Sequence, residues 1–329
     1  GYDRLPRELP KRTMSPMSRS ARIQLKDKIR RSLSVSGANE VLTYSFVHER
    51  VLKGAGQNPA DAFRIANALS PDLQYYRLSL LPSLLDKVHA NVKNGFDEFA
   101  LFEIGKGHHK QNMDKYNLPV ETELVEMIYS AKRPQPGAAY YKAQRVLQKL
   151  LDDLSIDASL VPIEKRFDYA GITPFELSRS AFIKTTDGTV LGVVGELRTS
   201  VRKHFKLPDY SAAVTLDIEA LETVSATTIS SYQPLSRYPS VSQDLSLKVS
   251  AAVWFSDLRA TLDKALQETS DIKVSYLPLS IYAGDDAHRT FTFRLSATSN
   301  TSTLTDAEMS GILESVTRAA TKAHGAVKV

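Results

Sequence analysis

Arg289-Thr290-Phe291-Thr292-Phe293-Arg294-Leu295-Ser296-Ala297 alternates polar and apolar residues without a break. Successive side chains on a strand point to opposite faces, so this stretch reads as a strand with Phe291, Phe293, Leu295 and Ala297 on its buried face. Just upstream, Ile272 to Tyr282 reads as a second strand, with Pro278 marking a bulge or an edge position. Ala283-Gly284-Asp285-Asp286 is the turn between the two. Further upstream, Leu245, Leu247 and Val249 alternate as a third strand, and Ser256 is placed to cap a helix through Leu258, Leu262 and Leu266. Downstream, Thr305 and Glu308 have capping-box spacing ahead of Met309, Ile312, Leu313, Val316 and Ala320, and Ala326 to Val329 closes with a short strand. The order is βαββαβ, the ferredoxin-like arrangement. Two helices cover one face of such a sheet and leave the other free, where unstacked bases of single-stranded RNA can lie. Simple alternation over 272–282 turns Leu277, Leu279 and Ile281 to the helices. It places Tyr276, Ser280 and Tyr282 on the open face with Thr292 and Arg294. On these grounds Tyr282 fits a base-stacking platform and an ordinary exposed tyrosine equally well.

The preceding two-thirds mixes helices and strands. Residues 1–17, with Pro6, Pro10 and Pro16, read as an extended leader. A helix is expected from about Ser18, its apolar stripe formed by Ala21, Leu25, Ile29 and Leu33, with Gly37 as its terminator. Val41 to Val47 reads as a strand. Leu80, Leu81, Leu84, Leu85 and Val88 form a helical stripe, with Pro82 in the first turn. Strands follow at Phe99 to Gly105 and Leu124 to Ser130, then an amphipathic helix from Tyr141 to Leu154. Two further strands flank the Asp187-Gly188 turn, a short helix covers Val201 to Phe205, and Ala212 to Ile218 is a strand. The Ser/Thr-rich stretch from Thr223 lacks periodicity. The expected organisation is an α+β chain: leader 1–17, a first domain over 18–222, a linker over 223–235, and the βαββαβ domain over 236–329.

The 329 residues carry 42 Lys+Arg, 37 Asp+Glu and no cysteine, a formal net charge of +5. Without cysteine, disulfides, thiolate metal sites, iron–sulfur clusters and a thiol nucleophile are excluded. No apolar run is long enough for a membrane span, and the first residues lack the apolar core of a signal peptide. A reducing compartment such as the cytoplasm is expected. The charge is uneven: residues 1–50 hold about 11 cations against about 5 carboxylates, while 232–329 balance. A solvated helix face and a surface directed at a partner both account for that N-terminal excess.

No catalytic constellation emerges. The seven histidines give no ligand spacing, and the adjacent His108-His109 would point to opposite faces of a strand. There is no G-x-S-x-G and no P-loop, and Gly105-Lys106-Gly107 lacks a third glycine. The expectation is no catalytic residue and no metal ligand.

Ser236-Arg237-Tyr238-Pro239-Ser240-Val241-Ser242-Gln243-Asp244-Leu245-Ser246-Leu247 resembles the opening of the ferredoxin-like anticodon-binding domain of phenylalanyl-tRNA synthetase β subunits. Ile281-Tyr282-Ala283-Gly284 resembles that domain's D-x-Y-x-G turn, and Arg289 to Leu295 and Thr303 to Asp306 resemble its later strand and helix entry. Upstream, Tyr2 to Pro6 resembles the end of the segment preceding the family's catalytic-like domain, and Glu40 to Phe46, Leu69-Ser70-Pro71, Arg77 to Pro82, Leu101 to Gly105 and Gly192 to Leu197 resemble blocks of that domain, in order.

The resemblance implies a class II synthetase fold that has lost catalysis, consistent with the missing G-x-G-x-x-R, followed by an anticodon-binding domain. It implies a role as the non-catalytic portion of phenylalanine–tRNA ligase, supporting the α subunit and holding tRNA(Phe) for ATP-dependent aminoacylation. The partners implied are the α subunit and tRNA(Phe) in an (αβ)2 heterotetramer. ATP and magnesium are needed by the assembled enzyme, and this chain alone has no cofactor. Anticodon contacts are expected from Arg237, Tyr238, Ser280, Tyr282, Arg289 and Arg294. The helix from Ser18 would correspond to the first class II motif, which packs at the subunit interface, so Ala21, Leu25, Ile29 and Leu33 are expected to bury against a partner there or against the core. The absence of the family's N-terminal tRNA-binding, editing and magnesium-binding modules implies a C-terminal piece of a longer protein. Ser280 stands where the turn motif has aspartate, Gln243 where arginine is frequent, and Glu176-Leu177-Ser178 and Arg198-Thr199 where His-Pro stretches occur. These departures leave open a divergent stand-alone RNA-binding or interaction protein on the same fold.

Overall fold

The computed structural model describes residues 1–9, 11, 13–133, 137–164, 171–225, 235–267, 272–282 and 287–329. The chain divides into two compact units, Gly1–Ser230 and Ser231–Val329.

The first unit opens with an exposed segment and then helix α1 (Ala21–Val35). Ser20 is its N-cap: the hydroxyl accepts from the Ile23 N–H at 3.3 Å, which satisfies one of the helix's orphan donors. Gly37, at φ +86°, ends it as expected. A seven-stranded sheet is built from β1 (Ala38–Glu40), β4 (Glu98–Met113), β5 (Pro119–Ala131), β6 (Ala158–Pro162), β7 (Phe175–Thr185), β8 (Val190–Leu197) and β9 (Tyr210–Asp217). Their order is β1-β4-β5-β9-β8-β7-β6, with β1 parallel to β4 and the other pairs antiparallel. A small hairpin pairs β2 (Phe46–Val47) with β3 (Tyr75–Tyr76).

Helices cover both faces of the large sheet. On one side, α1, α4 (Ala139–Asp153) and α6 (Ile218–Ser225) bury Phe102, Val125, Met127, Val214 and Leu216. On the other, α2 (Glu49–Gly54), α3 (Leu81–Lys93) and α5 (Thr199–Phe205) pack on Leu101, Ile128, Val193 and Ala213. Leu81, Leu84, Leu85 and Val88 of α3 have no exposed surface, each stabilising by roughly 1.5–3 kcal/mol relative to exposure.

Three expectations for this unit are corrected. The α1 stripe of Leu25, Ile29 and Leu33 lies in the chain's own core against α4 and the sheet, and Ala21 is exposed at the first turn. Buried side chains cannot also face a partner, so the subunit-interface assignment of these four does not hold for Leu25, Ile29 and Leu33. Of the strand expected over Val41 to Val47 only the last two residues are strand, as β2, and β1 ends just before it, because Val41 leaves the sheet edge after one bond to the Phe102 carbonyl at 2.8 Å. The strand expected at Phe99 to Gly105 runs on to Met113, its polar outer half paired with β5 as a ribbon.

In the second unit the order is β10 (Val241–Ser250), α7 (Phe255–Gln267), β11 (Ile272–Tyr282), β12 (His288–Ser299), α8 (Asp306–His324) and β13 (Val327–Lys328). This is the expected βαββαβ series. The sheet order is β11-β12-β10-β13, and both helices pack on Leu245, Leu247, Phe291, Phe293 and Leu295. Thr305 and Glu308 form the expected capping box at α8. Ser256 does not cap α7: the helix begins one residue earlier, and the Trp254 carbonyl accepts from the Asp257 N–H at 3.1 Å. The turn expected at 283–286, the prolines at 134 and 136, and residues 226–234 of the expected linker lie outside the described residues; α6 extends to Ser225.

Candidate nucleic-acid interface

The open face of the second unit follows from strand alternation. With Leu245, Leu247, Phe291, Phe293 and Leu295 turned to the helices, Ser242, Asp244 and Ser246 of β10 and Thr290, Thr292, Arg294 and Ser296 of β12 turn outward. Cross-strand pairs organise this face. Ser242 and Ser296 hydroxyls bond at 2.7 Å, Ser246 and Thr292 at 3.0 Å, and Arg294 holds Asp244 with two bonds of 2.8 and 2.9 Å. The guanidinium's hydrogen bonds hold the Asp244 carboxyl below the usual carboxylate range. Two of Arg294's five N–H donors are used in this way, and the side chain remains exposed.

Pro278 changes the third strand. β11 is an edge strand, and its register against β12 slips between Pro278 and Ser280. Before the slip Tyr276 pairs with Leu295 and Leu277 with Arg294; after it Ser280 pairs with Thr292 and Tyr282 with Thr290. Residues directly opposite share a face, so Ser280 and Tyr282 are on the open face as expected. Tyr276 is not. Its ring packs edge-on to Phe293 at 5.8 Å and its hydroxyl donates to Asp263 at 2.6 Å; burial first, then that carboxylate, push the phenol's pKa up. Leu277 joins the open face beside Arg294 and is 62% exposed, which overturns its assignment to the helix side. Leu279 falls at the bulge and Ile281 pairs with Phe291, yet both remain exposed and outside the core cluster.

The six expected contact residues therefore do not converge on one point. Tyr282, Ser280 and Arg294 line one strip along β11 and β12, with Tyr282 69% exposed at its end. Arg289 pairs with Val249, so it belongs to the opposite, helix-side face at the strand's end. Arg237 and Tyr238 precede β10, tied to the far end of β12 through Ser236, whose hydroxyl donates to the Ser299 carbonyl at 2.6 Å. Nine residues of strand, about 30 Å, separate Ser299 from Thr290 beside Tyr282. Sequence reasoning missed Asp244 and Leu277 on this face. Asp244 was legible from the alternation Asp244-Leu245-Ser246-Leu247; Leu277 was hidden by the bulge.

In the first unit the polar interior is a buried network. Arg77 bonds Glu103 at 2.8 Å, the Thr43 hydroxyl at 2.7 Å and the Lys106 carbonyl at 3.0 Å, and Thr43 donates to Glu103 at 2.6 Å. Next to it, Glu126 accepts from the Leu81 N–H and from the Thr215 hydroxyl at 2.9 Å. Burial raises the Glu126 carboxyl to about 7. This network braces β4, β5, β9 and the start of α3. Among the described residues no cluster of three or more His, Asp or Glu is placed to hold a metal, and no helix is long and apolar enough to cross a membrane.

Comparison with known proteins agrees with both units. Residues 5–218 match the phenylalanyl tRNA synthetase beta chain CLM domain, and residues 236–328 match the ferredoxin-fold anticodon binding domain. The chain is 28% identical over 343 residues to the phenylalanine–tRNA ligase beta subunit of Symbiobacterium thermophilum, covering 99% of this chain and 36% of that protein. It is 28% identical over 338 residues to that of Geobacillus kaustophilus, covering 99% and 40%. The chain thus spans well under half the length of these curated relatives. A solved pyrrolysyl-tRNA synthetase from Desulfitobacterium hafniense superimposes with a TM-score of 0.50 over 63% of this chain and 67% of that one, at 15% identity, a likeness of fold alone. With one family model spanning most of the first unit and a second spanning the other, the chain belongs to the phenylalanyl-tRNA synthetase beta chain family.

Proposed function

We propose that this chain is the non-catalytic portion of a phenylalanine–tRNA ligase β subunit. Its first unit supports the α subunit, and its second binds the anticodon of tRNA(Phe) for ATP-dependent aminoacylation. The observation that carries the reading is the open strip of β11 and β12. It offers an exposed tyrosine ring, a row of hydroxyls and one fixed guanidinium, with little net charge. An unstacked base lies on the Tyr282 ring, the Ser280 and Thr290 hydroxyls donate to or accept from base edges, and Arg294 has N–H donors left for a base or phosphate. In this reading the assembled enzyme is an (αβ)2 heterotetramer of the cytoplasm, and ATP and magnesium belong to the α subunit's chemistry.

The test is reconstitution. The purified chain alone is expected to give no ATP–pyrophosphate exchange with phenylalanine, and the chain supplied with the α subunit to give a stable complex. Exchange by the chain alone overturns the non-catalytic reading. Ser280, which lacks the carboxylate of the family's turn motif, favours a second reading as a stand-alone RNA-binding protein. Failure of the α subunit to co-purify would select it.

A further inference from the structure

Three of the five cations of α1 are paired inside the chain, Arg22 with Glu222, Lys26 with Glu123 and Arg30 with Glu40, and Arg19 just before the helix pairs with Asp27. A second basic surface of the first unit lies on α5 and the turn after it. Between Leu197 and Pro208 the sequence has Arg198, Arg202, Lys203, His204 and Lys206 and no carboxylate. The neighbouring carboxylates are already engaged: Asp209 pairs with Arg202 at 2.7 Å, Glu196 with Arg179 at 2.6 Å, and Glu49 with Lys53 at 2.8 Å. Lys203 and Lys206 are exposed and in no ion pair among the described residues.

The fold fixes this cluster against the end of α2. The His204 ring lies on Gly54, where a Cβ would meet it at 2.1 Å. The Arg198 guanidinium lies on Gly56, where a Cβ would meet it at 1.9 Å, and donates to the Ala55 carbonyl at 3.4 Å. Side chains at either glycine would lift these groups off. Lys206 closes α5 in the left-handed conformation, φ +52°, a place where glycine is the unstrained choice. Cations at a helix C-terminus favour its dipole, but one turn of dipole accounts for one or two of them, not five basic groups in nine residues. Arg198 also stands where the family resemblance implies histidine.

We propose that this face of the synthetase-like unit, centred on Lys203 and Lys206, binds the phosphate backbone of RNA, as a contact separate from the anticodon strip. The occupant follows from charge: two exposed, unpaired lysines beside the seated Arg198, in a stretch without carboxylates and on a chain whose other unit is an anticodon-binding domain, meet a polyanion. Such a contact positions the RNA without reading its sequence. The choice of tRNA as the RNA rests on the proposed function; the phosphate contact does not.

The experiment titrates the full chain with two RNAs over 50–200 mM salt, a full-length tRNA(Phe) transcript and the anticodon stem–loop alone. Lys203→Ala/Lys206→Ala is expected to weaken the full-length transcript about tenfold at the low-salt end and to reduce its salt slope by about 1.5, leaving the stem–loop unchanged. Lys203→Arg/Lys206→Arg, which keeps the charges, is expected to bind like the parent. An unchanged transcript affinity and slope in the alanine variant overturn the proposal while stem–loop binding still stands for the anticodon reading. Equal losses for a transcript of unrelated sequence support it, since a backbone contact carries no sequence information. A parent chain that binds neither RNA overturns both.

Discussion

Glu103 and Glu126 are direct cross-strand partners on β4 and β5, both without exposed surface, and Arg77 is bonded to Glu103. Two carboxylates side by side in a core are tolerable only if one is compensated and the other is hydrogen-bonded or protonated.

Removing the compensating cation is therefore expected to be severe. Arg77 is 4% exposed and serves Glu103, Thr43 and the Lys106 carbonyl together. Arg77→Met should cost about 3–5 kcal/mol in urea unfolding, because it strands a buried charge. Adding Glu103→Leu to that variant should recover part of the loss, since the stranded charge is then gone. A single-variant cost below about 1 kcal/mol would show that the pair is not desolvated as described.

Glu126 makes the stability of the first unit depend on pH. Its carboxyl is raised from the ordinary value of 4.5 to about 7, with burial the principal cause. The folded state then holds a proton that the unfolded state releases. This contribution favours folding fully below pH 4.5, is lost as pH rises towards 7, and changes no further above that. The span is on the order of 3 kcal/mol. Glu126→Gln cannot ionise, so the difference between its stability profile and the parent's should open across that window and level off above it. Parallel profiles from pH 5 to 8 would refute the assignment.

The bulge in β11 separates two tyrosines that simple alternation puts together. Tyr282→Ala is expected to weaken binding of the cognate anticodon stem–loop by about 1–3 kcal/mol at fixed salt, as loss of a stacking ring does. Tyr276→Phe removes the bond to Asp263 and is expected to lower the second unit's stability by about 1 kcal/mol while leaving RNA affinity untouched. The reverse pattern would mean that the strand runs without its bulge.

Thr305→Ala removes the capping box of α8, whose hydroxyl accepts from the Glu308 N–H while Glu308 accepts in return. The expected loss is about 1 kcal/mol. Trp254, the chain's single tryptophan, lies in this unit, so its fluorescence follows the transition of the second unit alone.

The second unit was the more legible half because its signals are local. The alternation of β12, the Thr305/Glu308 box and the 272–282 strand each lie within a dozen residues, and each is found where the sequence puts it. The exception, the reversal of Tyr276 and Leu277, arises from one extra residue at Pro278–Ser280 that flips everything on one side of it. In the first unit the misreadings are non-local. Val41 to Val47 has strand composition, but its neighbours β4 and Arg77 come from 60 and 34 residues away, and Thr43 turns inward to bond both Glu103 and Arg77. The α1 stripe showed which residues are buried but not what buries them; α4, more than a hundred residues on, does. Glu126 lies in the middle of a strand, and the groups that hold it buried, Thr215 and the start of α3, are 89 and 45 residues away.

The irregularity in β11 has a consequence for the molecule's solubility. The strand lies on the sheet edge and exposes Leu277, Leu279, Ile281 and Tyr282, a composition that invites edge-to-edge growth. A second strand arriving there needs an unbroken row of N–H and C=O groups in constant register. Pro278 has no N–H to offer, and the slip that follows it puts the two halves of the edge out of phase. An incoming chain can zip along only half the strand before its ladder fails, so the same residue that aims Leu277 beside Arg294 also keeps the sticky edge from templating aggregation.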